Sequence, residues 1–229
     1  MRIVLALVRP CVWLFCRLFF RIEFHGVDNV PSEGPCIIAP NHNTYADPIW
    51  ITIPIKRRVY YMTWDKIFEI PLLGSLARTF GAFPVKLESV DAKARRETVE
   101  MLKAGRALVI FPEGGRSTTG AIEPFKMGAF RLALAYGVPI VPVTIDGAFQ
   151  IWPVGRVLPR PGKLKVTYHA PIAVERAPEG ITKQELRQRA RLLARETHDV
   201  VASALPGMNE PNHSDAREDQ ESESEGLLD

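Results

Sequence analysis

The sequence predicts an α/β domain built on a mixed, largely parallel sheet flanked by helices, with an N-terminal helix or helix pair suited to a membrane interface. Three observations carry that prediction. Short apolar runs that end in Pro, Asn or Gly alternate with helical segments along most of the chain, the rhythm of strands joined by crossover helices. Turn and capping residues fall where that alternation needs them. The opening stretch, MRIVLALVRPCVWLFCRLFFRIEF, mixes large apolar side chains with spaced arginines.

That opening stretch has an early Arg, as a signal peptide does, but no small-residue cleavage site follows and Arg9, Arg17 and Arg21 interrupt it. Its charge-free runs are too short for a spanning helix. At 100° per residue, Arg2, Arg9, Arg17 and Arg21 share one sector of roughly 120°, and Leu, Val, Phe and Trp fill the remainder. Pro10 is expected to bend or split the helix. The pattern fits a helix lying in a membrane interface with its guanidiniums at the headgroups. The competing reading is a terminal helix packed on the protein's own core.

GPCIIAPNH then reads as a buried strand, and DPIWITIPI opens as a helix. RRVYYMT, rich in aromatic and branched residues, is a second strand. IPLLGSLARTF is helical with Pro71 at its start, and GAFPVKL is a third strand. SVDAKARRETVEMLKAG has helical composition and stops at Gly105, a residue suited to the left-handed turn after a helix. ALVIFPEGG is a fourth strand running into a glycine turn, PFKMGAFRLALAYG a helix stopped at Gly137, VPIVPVTI a fifth strand and GKLKVTYHA a sixth. The last helix opens with a capping box from Thr182 to Glu185 and runs to about Leu205.

The organisation that results is a membrane-associating segment over residues 1–24, a catalytic-sized domain over 25–206 and an acidic tail over 207–229. The total of 229 residues, 46% of them hydrophobic, suits one domain with appendages. Residues 207–229 hold eight acidic residues against one Arg, a net of −7, so a total of +3 leaves +10 on residues 1–206. The tail has the composition of a disordered segment. The basic body calls for an anionic partner. Cys11, Cys16 and Cys36 show no metal spacing and read as small hydrophobes in a reducing compartment, and no metal is expected. The chain has no GxGxxG, no P-loop, no GxSxG elbow and no internal repeat. It also lacks an aromatic-basic stacking motif, so a nucleic-acid partner is not expected.

Ligands in such sheets sit beyond the carboxyl ends of strands, and three strand exits carry unusual chemistry. In PNHNTYADP, His42 precedes Asp47 by five positions. Asp47-Pro48 alone is an ordinary helix start, and a turn histidine alone is an ordinary polar residue. In FPEGGRS, a strand delivers Glu113, Gly114, Gly115 and Arg116 to one point. Adjacent glycines let the backbone approach a ligand, and a guanidinium holds phosphate bidentately, although a tight turn with a surface ion pair would look the same. Lys86 in GAFPVKL adds a second cation at a strand end.

NHNTYADP, GAFPVKL, FPEGGRS and VPIVPVTI stand in the order and spacing of the four blocks of the glycerolipid acyltransferases. The chain resembles the 1-acyl-sn-glycerol-3-phosphate acyltransferase family over about residues 15–200. The resemblance implies a general base at His42 supported by Asp47. It implies phosphate binding by Lys86, where the family usually has Arg, together with Arg116, and a hold on the glycerol part by Glu113 beside Gly114 and Gly115. The third block here reads Glu-Gly-Gly-Arg, where Thr is commoner at the position of Gly115.

The expected reaction moves an acyl chain from acyl-CoA or acyl-carrier protein to the free hydroxyl of lysophosphatidic acid, giving phosphatidic acid. No cofactor is needed, because a thioester is already activated; a neutral imidazole suits the proton transfer. Another lysolipid acceptor such as a lyso-aminolipid, hydrolysis with His42 activating water, or a lipid-binding protein without catalysis are the competing readings. The expected location is an anionic membrane surface, with the domain on the cytoplasmic side of a bacterial inner membrane.

Overall fold

The computed structural model describes residues 2–85 and 92–206. Lys86 and the acidic tail therefore lie outside the described residues. Among those described, seven strands form one sheet: β1 (Ile22–His25), β2 (Cys36–Pro40), β3 (Val59–Trp64), β4 (Ala82–Val85), β5 (Ala107–Val109), β6 (Ile140–Asp146) and β7 (Leu164–Tyr168). Their order across the sheet is β1-β7-β6-β2-β5-β3-β4. The block from β6 to β4 is parallel, β7 runs antiparallel to β6, and β1 is parallel to β7. The expected mixed, largely parallel sheet is therefore present, with one strand more than the six read from the sequence.

The central strands are apolar at every position because both faces are covered. In β2, Cys36 and Ile38 join one cluster with Trp50, Val109, Val143 and Tyr168, while Ile37 and Ala39 join another with Leu108, Phe130 and Ala133. The first cluster is covered by α1 (Arg2–Phe19), α2 (Asp47–Thr52) and α6 (Ala148–Ile151). The second is covered by α4 (Ala92–Lys103), α5 (Gly128–Tyr136) and α7 (Lys183–Ser203); α3 (Pro71–Thr79) connects β3 to β4. Burial pushes the thiols of Cys16 and Cys36 up to about 11, consistent with their reading as small hydrophobes.

Local signals fall where the sequence placed them. Gly105 (φ 73°) ends α4, and its N–H bonds to Leu102 O at 3.0 Å. At the start of α7, Glu185 N–H donates to Thr182 Oγ1 at 3.1 Å while Thr182 N–H donates to Glu185 Oε2 at 3.0 Å, the reciprocal pair of a capping box.

At the N-terminus the first of the two expected alternatives is present. α1 is one continuous helix with Pro10 inside it, not a pair. It ends at Phe19, Arg21 turns the chain in the left-handed region (φ 44°), and Ile22–His25 join the sheet. Residues 22–24 thus belong to the domain, and so does the last turn of the helix. Cys16 and Phe20 are core residues, with Phe20 packed edge-on against Trp50 at 5.6 Å. Trp13, Leu14, Phe15 and Leu18 remain exposed. Core packing and an exposed apolar face coexist on one helix. Among the described residues, no helix is long and apolar enough to cross a membrane.

Candidate active site

The site is assembled where β2 and β5 leave the sheet side by side. Asn41 fixes the first exit. Its side-chain amide donates to Ile145 O at 3.0 Å and accepts from Ile145 N–H at 2.7 Å, holding the chain against β6. The next residue is His42. Its Nδ1 lies 2.8 Å from Oδ2 of Asp47. A carboxylate only accepts, so Nδ1 carries the hydrogen, and in the neutral ring Nε2 keeps its lone pair. Among the described residues, Nε2 has no hydrogen-bond partner. Phe111, from the exit of β5, stacks on the imidazole with centroids 3.8 Å apart. The ring is thereby held on one face and at one edge.

Asp47 is the first residue of α2, but it does not cap that helix with its side chain. Its carboxylate, 0% exposed, turns back on the preceding loop. Oδ2 also accepts the N–H groups of Asn43 at 2.7 Å and Thr44 at 2.8 Å, and Oδ1 accepts the Thr44 hydroxyl at 2.6 Å. Four donors on one buried carboxylate satisfy the demand that a buried charge be fully bonded. The spacing seen in the sequence is thus the length of a loop that closes on its own carboxylate.

Glu113 joins the two motifs. Its Oε1 accepts the backbone N–H of His42 at 2.7 Å, and Oε2 accepts the N–H of Glu123 at 3.2 Å. Ser117 N–H returns a bond to His42 O at 2.8 Å. Glu113 is 6% exposed, and burial pushes its carboxyl up to about 7 despite the two N–H bonds that favour the charged form. Arg116 lies over the ring of Tyr45, its guanidinium carbon 3.5 Å from the centroid. Tyr45 lies between His42 and Asp47 in sequence, so this contact is a second link between the two motifs.

Glu113 also forms part of a cleft of about 520 Å³, lined by Gly114, Gly115, Arg116, Ser117 and Lys126 among others. Gly114 has φ 72°, and a Cβ there would meet the Lys126 Nζ at 2.5 Å. At Gly115 a Cβ would meet nothing within 4 Å. His42, Asp47, Glu113, Gly114, Gly115 and Arg116 are therefore brought together as expected from the sequence. Asn41, Thr44, Tyr45, Phe111 and Lys126 complete the neighbourhood. Only Lys126 carried a usable signal, a cation within PFKMG shortly after the glycine turn.

This fold and this pair of linked motifs place the chain among known proteins. The family described as Acyltransferase matches residues 21–146, and the chain belongs to that family. It is 32% identical to the chloroplastic 1-acyl-sn-glycerol-3-phosphate acyltransferase of Brassica napus, over 67% of this chain and 46% of the relative. With 1-acyl-sn-glycerol-3-phosphate acyltransferase of Bacillus subtilis it shares 27% identity, over 66% of this chain and 73% of the relative. The crystal structure of the 1-acyl-sn-glycerophosphate (LPA) acyltransferase from Thermotoga maritima superposes with a TM-score of 0.66 at 28% identity, covering 86% of this chain and 79% of that one. The chain spans about half the length of the plant relatives it matches, 46% and 44%.

Proposed function

We propose that this chain transfers a fatty acyl group from a thioester, acyl-CoA or acyl-carrier protein, to the free hydroxyl of lysophosphatidic acid. The observation that carries the proposal is the His42–Asp47 pair, 2.8 Å apart, tied through Glu113 to a cleft that holds Arg116. The relatives named for this activity support the choice of acceptor.

In this reading Nε2 of His42 takes the hydroxyl proton as the acceptor oxygen attacks the thioester carbonyl. The C–S bond breaks as the ester forms, and the imidazolium returns the proton to the departing thiolate. Asp47 holds the ring in the required tautomer and stabilises its charged form, as in a triad without the serine. No covalent acyl-enzyme is required. Glu113 orients the His42 backbone and holds the glycerol part. Arg116, with Lys86, binds the phosphate. The N–H groups of Gly115 and Arg116 carry no hydrogen bond among the described residues, and they are the donors assigned to the developing oxyanion. The exposed side of α1 brings the site to an anionic membrane surface where the acceptor resides, on the cytoplasmic side of the bilayer.

An acyltransfer assay across a panel of lysolipids, with both CoA and carrier-protein thioesters, tests the proposal. Phosphatidic acid should be the main product. Preference for an acceptor without phosphate would overturn the assignment of Arg116, and hydrolysis without transfer would overturn the reaction itself.

A further inference from the structure

The segment between α6 and β7 is tied to the domain at its base, but its tip stands off it. After α6 the chain runs from Trp152 to Lys163 before β7 begins, and its tip is apolar: Val157 is 85% exposed and Leu158 72%. Together with Leu18 of α1, at 73%, these are the three most exposed large hydrophobic residues among those described.

All three belong to the same end of the sheet. β6 is parallel to β2, so its last residue lies at the end from which His42 emerges. β7 is antiparallel to β6, with Lys165 opposite Asp146, so β7 begins at that end. β1 pairs in parallel with β7, Ile22 opposite Leu164, so α1 enters the sheet there too. The last turn of α1 and the base of the 152–163 segment are therefore neighbours beside the active-site end.

The tip is also built to stay out. Trp152 Nε1 donates to Arg156 O at 2.8 Å, Arg156 Nε donates to Leu158 O at 2.9 Å, and Arg160 N–H donates to Ile151 O at 3.0 Å. Pro153, Pro159 and Pro161 further restrict the backbone. The segment spends its bonds holding an exposed Val-Leu pair in place. Its charges are of one sign: Arg156, Arg160 and Lys163 surround the tip, and no Asp or Glu occurs from Gly147 to Val174. Apolar side chains flanked by cations fit the interface of an anionic bilayer, with the side chains at the acyl boundary and the cations at the headgroups.

We infer that the 152–163 segment is a second membrane-docking element, which inserts Val157 and Leu158 beside α1 and fixes the active-site end of the sheet against an anionic lipid surface. Two contacts, from a helix and a loop, set the tilt of the domain, whereas α1 alone would let it swing. The inference rests on the proposal that the chain works at a membrane, but not on the acyl-transfer chemistry.

The test is flotation of the full chain with vesicles of phosphatidylcholine alone, or of phosphatidylcholine and phosphatidylglycerol in equal parts, comparing wild type with the Val157→Ser/Leu158→Ser double variant. Both side chains are solvent-exposed, so the melting temperature should not move. Binding to the anionic vesicles should fall about tenfold or more. In the wild-type chain, amide exchange over residues 152–163 should slow when those vesicles are added. Equal flotation of the two proteins, or exchange unaffected by vesicles, would overturn the role of the segment while leaving α1 as the anchor. Wild type that floats with neither vesicle would overturn the membrane reading as a whole. Loss of a dimer in the double variant without loss of flotation would assign the tip to a second copy of the chain instead.

Discussion

Glu113 accepts the backbone N–H of His42 at 2.7 Å across 71 residues of sequence. The carboxylate of the second motif thus sets the position of the ring carried by the first. It does so from a buried position that pushes its own carboxyl from 4.5 up to about 7. Below the unfolded value both states are protonated and the group's favourable contribution is intact. As pH rises from 4.5 through about 7 that contribution is lost, because the unfolded chain gives up the proton first while burial holds it on the folded one. The unfolding free energy of wild type minus that of Glu113→Gln should therefore fall by about 3 kcal/mol between pH 4.5 and about pH 8. Denaturant titrations at a series of pH values check this. A flat difference would mean that Glu113 ionises as an ordinary surface carboxylate does.

His42→Ala should lower turnover by about 100-fold or more, the scale of a lost general base. Near wild-type turnover in that variant would sink the mechanism.

Asp47 offers a sharper separation of chemistry from stability. In Asp47→Asn an amide oxygen can keep the three donors now on Oδ2, while the Thr44 hydroxyl turns to accept from the amide nitrogen. Stability should change by less than about 1 kcal/mol while turnover falls about as far as for His42→Ala. Asp47→Ala instead strands two backbone N–H groups and the Nδ1 hydrogen, and should cost several kcal/mol, about 1–3 for each stranded donor. If the Asn and Ala variants unfold alike, the charge rather than the bonding pattern holds the loop.

Arg116 rests on Tyr45 at 3.5 Å. Arg116→Ala should raise the acceptor KM far more than the donor KM. Tyr45→Ala should raise the acceptor KM by several-fold through loss of the platform, about 0.5–2 kcal/mol, and Tyr45→Phe should not. A rise in the donor KM alone would reverse the assignment of the cleft.

The adjacent glycines should respond in opposite ways. Gly115 has open space and no left-handed φ, so Gly115→Ala should stabilise by about 0.4–1 kcal/mol through the unfolded state. Gly114→Ala puts a Cβ at φ 72° within 2.5 Å of the Lys126 amine and should destabilise by at least about 1 kcal/mol. Thermal melts of the two variants read this directly.

Much of the fold is written in local pattern. Ile37, Ile38 and Ala39, or Ile140 and Val141, are apolar in succession because each neighbour faces a different covered side, and Gly105, Gly137 and Thr182 mark helix ends by chemistry that needs no tertiary partner. β1 escaped because Ile22–His25 follow an apolar helix without a break in composition and find their partner only at Leu164. α6, four residues long, is too short to show a period. The acidic and basic residues of the site were legible because their types are unusual at strand exits. Phe111 and Tyr45 were not, since an aromatic residue beside a strand reads as core until the ring it stacks on is known.

The pairing of β1 with β7 has a consequence for how the chain is made. Ile22 meets Leu164, so the edge strand that follows α1 has nothing to pair with until almost all of the domain has been translated. At about 5–20 residues per second that delay is on the order of ten seconds, and closing so long a loop comes late in folding. Throughout it, α1 stands outside the ribosome with Cys16 and Phe20 still unburied. The nascent chain therefore presents more apolar surface on this helix than the finished protein does, and a bilayer or a chaperone can meet it before its own core is ready.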